Sequence, residues 1–298
     1  ITGEGYTLTL DGSGSASSLV SLIGTGAGAL NKTGTGTWTL SGANTYSGGT
    51  TITAGTLQVG NGANSGAVGS GAVVNNGTLK FSRNDTFEVS NVISGTGSVI
   101  QSGAGTVVFA SNNSYGSTSV AAGILQVGNG GTVGSLGSGA VTNNGILSFK
   151  RSDVITVSNL ISGTGDIRQI GSGTLTLTNS NTFTGATEIS SGVLALNGSG
   201  GIQSSSGLIN NASFDITGVT SNVSVRTVTA SAGSSILLGA KNLTITNSSG
   251  VIDGVISGVG GSLTLSTGTL TLTGTNTFTG STTVNGGTLT VSADANLG

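Results

Sequence analysis

One phrase of 27 residues dominates this chain of 298 residues and returns three times in slightly shorter copies. The first copy reads GTGTWTLSGANTYSGGTTITAGTLQVG. The four copies occupy residues 34–60, 103–128, 171–196 and 268–291. A repeat of this length predicts one supersecondary unit stacked on copies of itself, because a single copy cannot bury its apolar face.

Composition restricts the fold to β-structure. The chain has 56 glycines, no proline, methionine, cysteine or histidine, and only 6% charged residues. An ordinary helical or α/β enzyme would be about a quarter charged. The abundance of Ser, Thr, Val and Leu favours strands, and the regular occurrence of Val, Ile and Leu distinguishes the chain from a disordered one.

Charge and residue types also exclude several kinds of partner and site. The net charge is −2, and the eight Lys and Arg residues are scattered between Lys32 and Lys241, so we expect no nucleic-acid binding. Without cysteine or histidine the chain lacks thiolate ligands, the commonest metal ligand and the commonest general base. We therefore expect no metal site and no cofactor.

The spacing of the copies predicts a coiled architecture. Gly36, Gly105, Gly173 and Gly268 stand 69, 68 and 95 residues apart. Within each copy Leu and Thr alternate, as in residues 174–178, which is typical of a half-buried strand. A superrepeat of 68 residues divides into three coils of roughly 23, whereas a propeller blade needs about 40 to 45. The pattern predicts an all-β solenoid of about thirteen coils.

A corner motif follows each alternating stretch. An asparagine is followed two residues later by an aromatic residue, which indicates a corner built from a left-handed residue and an aromatic plug. These pairs are Asn44 and Tyr46, Asn113 and Tyr115, Asn181 and Phe183, and Asn276 and Phe278. Because Thr-Leu-Thr-Leu-Thr occurs only once per superrepeat, we do not expect threonines of successive coils to align in rows.

The phrase in residues 34–60 resembles the autotransporter-associated β-strand repeat, G-x-G-T-L-T-L-T-G-x-N-T-Y-T-G-G-T-T-I-x-x-G-T-L-Q-V-G. That family occurs in passenger domains of type V secreted proteins of Gram-negative bacteria. The resemblance implies a right-handed parallel β-helix, exported through an outer-membrane barrel and displayed at the bacterial surface. It further implies that membrane association depends on a C-terminal barrel, and that residues 1–298 are a segment of a longer passenger. The superrepeats fall at roughly 34–102, 103–170, 171–265 and 266–298.

Two short charged windows stand out from the neutral background. Arg83-x-Asp85 recurs as Arg151-x-Asp153. The pattern favours a solvated turn that discourages lateral strand pairing. The more specific alternative is a polar patch that contacts a partner or another rod. The candidate contact residues are Lys80, Arg83, Asp85, Lys150, Arg151, Asp153 and Trp38. Trp38 replaces Leu175 and Leu270 of other copies, so we expect it to point inward.

The scattered carboxylates argue against catalysis. A polysaccharide hydrolase needs two carboxylates a few ångströms apart, and only Asp85 and Glu88 could approach within one coil. We therefore predict a non-enzymatic stalk or adhesin that binds a host-cell surface protein, a glycan or matrix. The alternatives are a rod that associates with another copy of itself, a secreted toxin or host-receptor ligand, and a carbohydrate-active enzyme. Specific function is expected where the copies disagree: in the Arg-x-Asp windows, at Trp38 and in the additional coil near residues 219–249.

Overall fold

The computed structural model describes all residues, Ile1–Gly298, and its regular secondary structure is almost entirely short β-strands. The helical exception is one 3-10 turn, Asp294–Asn296. No helix has the length and apolar character needed to span a membrane. The chain divides into two compact units, Ile1–Leu147 and Ser148–Gly298, here called unit 1 and unit 2.

Unit 1 contains strands of two to four residues separated by corners. They are β1 Leu8–Leu10, β2 Ser17–Leu19, β3 Leu30–Lys32, β4 Thr37–Leu40, β5 Thr50–Ile52, β6 Thr56–Val59, β7 Val73–Asn75, β8 Thr78–Phe81, β9 Thr86–Val89, β10 Ile93–Ser94, β11 Ser98–Gln101, β12 Thr106–Phe109, β13 Thr118–Val120, β14 Ile124–Val127 and β15 Val141–Asn143. Strand β16, Ile146–Phe149, crosses the boundary between the units.

Unit 2 contains strands of two to seven residues. They are β17 Val154–Val157, β18 Ile161–Ser162, β19 Asp166–Gln169, β20 Thr174–Leu177, β21 Thr187–Ile189, β22 Val193–Gly198, β23 Leu208–Asn210, β24 Ser213–Val219, β25 Val223–Val225, β26 Val228–Ala230, β27 Ser235–Leu237, β28 Asn242–Ile245, β29 Ser248–Ile252, β30 Val255–Gly258, β31 Ser262–Leu265, β32 Gly268–Leu272, β33 Thr277–Phe278, β34 Thr282–Val284 and β35 Thr288–Val291.

Strands in each unit pair in parallel with strands one coil away. In unit 1 they form three stacks: 1A (β1-β3-β5-β7-β10), 1B (β2-β4-β6-β8-β11-β13-β15) and 1C (β9-β12-β14). In unit 2 they form 2A (β17-β20-β22-β24-β27-β30-β33), 2B (β19-β21-β23-β26-β29-β32-β35) and 2C (β25-β28-β31-β34). The predicted all-β, parallel β-solenoid is confirmed, with about 14 coils against the thirteen expected.

Inward-pointing aliphatic and aromatic side chains form columns along each stack. In stack 1B, Leu57 pairs with Leu79 and Leu79 with Val99, and all three are at most 1% exposed. Unit 1 also contains an aromatic cluster in which the Phe109 ring lies 6.4 Å from Phe81 and 6.1 Å from Tyr115. Each coil thus buries a few large side chains at about 1.5–3 kcal/mol each, and stability accumulates by stacking.

The predicted coil length of roughly 23 residues is wrong for most coils. Paired residues stand 19 to 23 positions apart, as the pairs Thr37 and Thr56, and Thr50 and Val73, show. From Thr37, three coils reach Ser98, yet the next copy of the phrase starts its strand at Thr106. The first superrepeat is therefore three coils and one further strand. The longer third superrepeat has four coils, from Thr174 to Val255, and two further strands.

Consecutive copies of the phrase consequently lie in different stacks. In unit 1 the first copy supplies β4 of stack 1B, whereas the second supplies β12 of stack 1C. In unit 2 the third copy supplies β20 of stack 2A and the fourth β32 of stack 2B. The predicted absence of threonine rows is also wrong, because strands outside the phrase contribute to them. Stack 2C aligns Ser224, Thr244, Thr264 and Thr283 in successive coils.

The corner asparagines bind neighbouring coils together. In each case the side-chain Oδ1 accepts a hydrogen bond from the main-chain N–H of an isoleucine about one coil earlier, at 2.8–2.9 Å. The pairs are Ile23 with Asn44, Ile93 with Asn113, Ile161 with Asn181, and Ile256 with Asn276. The Nδ2 group donates to a carbonyl of the following coil, from Asn44 to Ala67 and from Asn113 to Ser135. Each asparagine is an inter-coil bracket.

The aromatic half of the corner motif is a buried plug, as predicted. Tyr46, Tyr115, Phe183 and Phe278 are at most 1% exposed. The Tyr115 hydroxyl lies 3.0 Å from Thr118 Oγ1, and burial raises the pKa of Tyr115 to about 12. The prediction that these asparagines adopt a left-handed backbone conformation is wrong, since only glycines have positive φ. The asparagine amide is needed for its hydrogen bonds between coils, whereas glycine supplies the left-handed corners.

Replacing a bracket should weaken the solenoid measurably. In Asn181→Ala, the buried Ile161 N–H loses its 2.9 Å partner, so we expect the free energy of unfolding to fall by about 1–3 kcal/mol. Urea denaturation followed by far-UV circular dichroism measures this change. The matched control is Thr182→Ala at the exposed neighbouring position, which should change stability by less than about 0.5 kcal/mol. Equal effects of the two substitutions would contradict the bracket.

Candidate functional site

The first charged window is an ion pair within the turn that connects strands β8 and β9. Arg83 Nε donates to Asp85 Oδ1 at 2.9 Å, and Nη2 donates to Asp85 Oδ2 at 2.6 Å. This bidentate geometry is the strong form of an arginine–carboxylate pair. The hydrogen bond from Arg83 lowers the pKa of Asp85, so the carboxylate stays ionised.

The same guanidinium closes over the glycine-rich loop 60–66. Nη1 donates to the Gly66 carbonyl, and Nη2 donates to the Asn64 carbonyl at 3.1 Å. The Arg83 Cζ atom also lies 4.3 Å from the centroid of the Phe87 ring, which adds a cation–π contact. Arg83 is only 9% exposed as a result. The window acts as a clamp that holds the loop against its coil.

The second window repeats the ion pair in unit 2. Arg151 Nε and Nη2 donate to the two carboxylate oxygens of Asp153 at 2.8 and 2.6 Å, and the arginine side chain is 11% exposed. Arg83 and Arg151 are thus mostly buried, and they use donors within the fold. The contact of these two residues with a partner stays a prediction.

The other predicted contact residues retain accessible surface. Lys80 is half-buried on β8, Lys150 is exposed, and the side chains of Asp85 and Asp153 are 30% and 36% exposed. Their contact with a partner stays a prediction. Trp38 pairs with Leu57 in the inward column of stack 1B, but it is half-buried and its Nε1 donates to the Asp11 carbonyl at 2.8 Å.

The carboxylates do not converge on one site. No group of three or more Asp or Glu side chains is placed to hold a metal ion. Arg168 lies between two of them, with its Nε 3.3 Å from Glu188 and its Nη2 3.9 Å from Asp166. Asp85 is paired with Arg83, so it is poorly suited to act as the proton donor of a hydrolytic pair with Glu88.

A groove in unit 2 is the concave feature that sequence reasoning did not locate. It has a volume of about 360 Å³ and lies between segment 198–203 and segment 219–224. Long strands β22 and β24 lead into it, and their register shifts between Ala195 and Asn197. The sequence signal was the additional length near 219–249, which identified the region without revealing the groove.

Comparison with known proteins places these features in a family. The model of the passenger-associated-transport repeat matches residues 30–59, 99–127, 167–196 and 265–291, so it matches all four copies of the phrase. This chain belongs to the autotransporter passenger domains. The predicted resemblance is confirmed, and the passenger relationship implies export to the cell surface.

Two curated proteins are similar to this chain. The adhesin BmaC autotransporter of Brucella suis biovar 1 (strain 1330) is 34% identical over 233 residues, covering 70% of this chain and 7% of the relative. The uncharacterized lipoprotein YdeK of Escherichia coli (strain K12) is 32% identical over 192 residues, covering 62% of this chain and 14% of the relative. The chain thus spans a small part of each relative's length. No solved structure matches the chain.

The clamp predicts an acid-sensitive contribution to passenger stability. The pKa of Asp85 is lower in the folded state than its ordinary value of 3.8, so the contribution is present above pH 3.8 and is lost as pH falls through the folded value. We expect Asp85→Asn to lower the Tm at pH 7, with a difference from wild type that shrinks below pH 3.8.

Thermal unfolding from pH 7 to pH 2 tests the clamp. Asp294→Asn is the matched control, because Asp294 is exposed and makes no ion pair. The control should leave the Tm unchanged at every pH. A difference between Asp85→Asn and wild type that is constant with pH would contradict the clamp.

Proposed function

We propose that this passenger segment acts at the bacterial surface as a stalk and adhesin without catalytic activity. The similarity to the adhesin autotransporter over 70% of the chain is the observation that carries the proposal. The solenoid supports it physically, because parallel strands and asparagine brackets tie each coil to its neighbours. Such a scaffold suits display of a binding surface away from the cell.

The distribution of charge supports a role in binding over one in catalysis. Hydrolysis of a glycoside needs two carboxylates at a defined separation, one of them with a raised pKa. The carboxylates of this chain either form ion pairs with arginines or lie singly along the coils, and the pKa values of Asp85 and Asp153 are lowered by their arginine partners. These groups are suited to hold loops in place.

Adhesion can be tested with beads coated with the purified chain. We expect the beads to bind host epithelial cells, immobilised matrix proteins or bacteria severalfold better than beads coated with the heat-denatured chain. Counting bound beads by microscopy measures the effect, and a secreted toxin or receptor ligand would be distinguished by a cell response. No binding across the whole panel would contradict the adhesin and leave the stalk role.

Self-association is a second candidate that the threonine row of stack 2C favours. Thr244, Thr264 and Thr283 lie in successive coils on the outer side of short strands. Asn242 connects the first two, because its Nδ2 donates to Thr244 Oγ1 at 2.8 Å and its Oδ1 accepts from Thr264 Oγ1 at 3.1 Å. The row is a neutral polar surface on which a second copy could pack without burying a charge.

Charge placed in this row should prevent association. We expect sedimentation velocity to show dimers that increase with concentration for the wild type, and monomers for Thr264→Lys/Thr283→Lys, since like charges would face each other across the contact. The control Thr229→Lys/Ser249→Lys adds the same charge in stack 2B and should dimerise like the wild type. A wild type that is monomeric at every concentration would contradict self-association through this row.

A further inference from the structure

We propose that the groove between segments 198–203 and 219–224 binds a neutral oligosaccharide. The proposal deepens the adhesin role and rests on it, because it names the chemical class of the surface ligand. Four properties of the groove support this ligand class: an apolar floor, walls held by hydrogen bonds, polar atoms without a protein partner and the absence of charged residues.

The floor combines apolar methyl groups with nearby main chain. Val219 and Val223 line the groove and are 5% and 4% exposed, so only a small part of each methyl surface reaches the cavity. Gly198, Gly200 and Gly201 form part of the opposite side; Gly198 is half-buried, whereas Gly200 and Gly201 are buried. A sugar ring has an apolar C–H face and polar edges, and such a floor and wall match both.

The walls are held by hydrogen bonds between coils. Thr220 Oγ1 donates to the Gly198 carbonyl at 3.0 Å, which joins the two segments at the base of the groove. Ser199 Oγ donates to the Thr178 carbonyl at 2.9 Å, and Gln203 Nε2 donates to Ser180 Oγ at 2.7 Å. A groove with fixed walls is preorganised, so little ordering of the protein opposes binding.

Several polar atoms along the groove remain available to a ligand. Asn222 uses its Oδ1 to accept from the Asn242 N–H at 3.0 Å, but its Nδ2 group donates to no protein atom. Ser221 is exposed and its hydroxyl makes no protein hydrogen bond. These groups offer donors and acceptors side by side, which is the pattern that sugar hydroxyl groups can satisfy.

Neutrality determines the class of sugar. None of the residues that line the groove is Lys, Arg, Asp or Glu. A sialylated or sulfated glycan would lose hydration of its charge there without gaining an ion pair, whereas a neutral glycan has no such cost. The volume of about 360 Å³ lies at the small end of ligand clefts, and it suits about one or two sugar rings.

An extended peptide fits this groove less well. Strand β25 is the end strand of stack 2C and could in principle accept an added strand, but it has only three residues, Val223–Val225. Binding by strand addition derives its affinity from successive main-chain hydrogen bonds. Three residues provide few of them, so side-chain recognition of hydroxyl groups is favoured over strand addition.

The test uses the purified chain on an array of neutral, sialylated and sulfated glycans, together with extended peptides. We expect binding to neutral glycans, and titration calorimetry with the best neutral glycan then compares variants. Ser221→Arg blocks the groove, and Asn222→Asp keeps the acceptor for Asn242 but removes the free amide donor. Each should weaken binding at least tenfold. Ser172→Arg is the matched control, because Ser172 is exposed, lies outside the groove and makes no side-chain hydrogen bond. This variant should leave the affinity unchanged.

The outcomes separate this proposal from the adhesin role. Circular dichroism and the Tm first establish that Ser221→Arg folds like Ser172→Arg. Binding of charged glycans or peptides alone, binding of nothing on the array, or neutral-glycan binding unaffected by both groove variants would overturn the groove proposal. Bead adhesion together with no binding of neutral glycans would leave the adhesin standing and refute the groove proposal. Groove-dependent glycan binding without bead adhesion would refute the adhesin alone.

Discussion

Main-chain hydrogen bonding between consecutive coils is the interaction on which the rest of the structure depends. It requires each coil to lie directly on the next, so several corner positions leave no room for a side chain. At Gly105 an added Cβ would stand 2.1 Å from the Asp85 carbonyl oxygen, which no other residue could tolerate. The asparagine brackets and the Arg83 clamp support the same spacing between coils, because they bond carbonyl and N–H groups that the strand ladders leave unpaired.

The sequence was sufficient to predict the stacked β-architecture and the aromatic plugs. In the alternating stretches Leu is the more deeply buried residue of each pair, so the alternation indicates which face is buried. The recurrence of Tyr46, Tyr115, Phe183 and Phe278 indicates that the same interior space is filled in each copy. Coil length was harder to predict, because a superrepeat need not contain a whole number of coils. The prediction of a left-handed asparagine was wrong for a different reason. Asparagine is common both at left-handed corners and at positions where its amide bonds neighbouring main chain, and only the partner atoms one coil away distinguish the two.

The candidate sites were less predictable than the fold. Arg83 and Asp85 look like a surface pair in the sequence, and the burial of Arg83 depends on loop 60–66, which folds back from about one coil earlier. The groove depends on a register shift between β22 and β24 and on segments about 20 residues apart. It contains no motif residue, since its serines, threonines and glycines are the commonest residues of the chain. Sequence length alone identified its neighbourhood.

The superrepeats do not contain a whole number of coils, and this has a consequence for valency. In unit 1 the copies of the phrase supply β4 and β12 to different stacks, so their outer surfaces belong to different sides of the coil. A receptor or antibody with two arms gains avidity only when both sites can be engaged together. Near-identical segments of this passenger therefore do not present a flat array to one partner, and repetition in the sequence is not repetition of an epitope on one side.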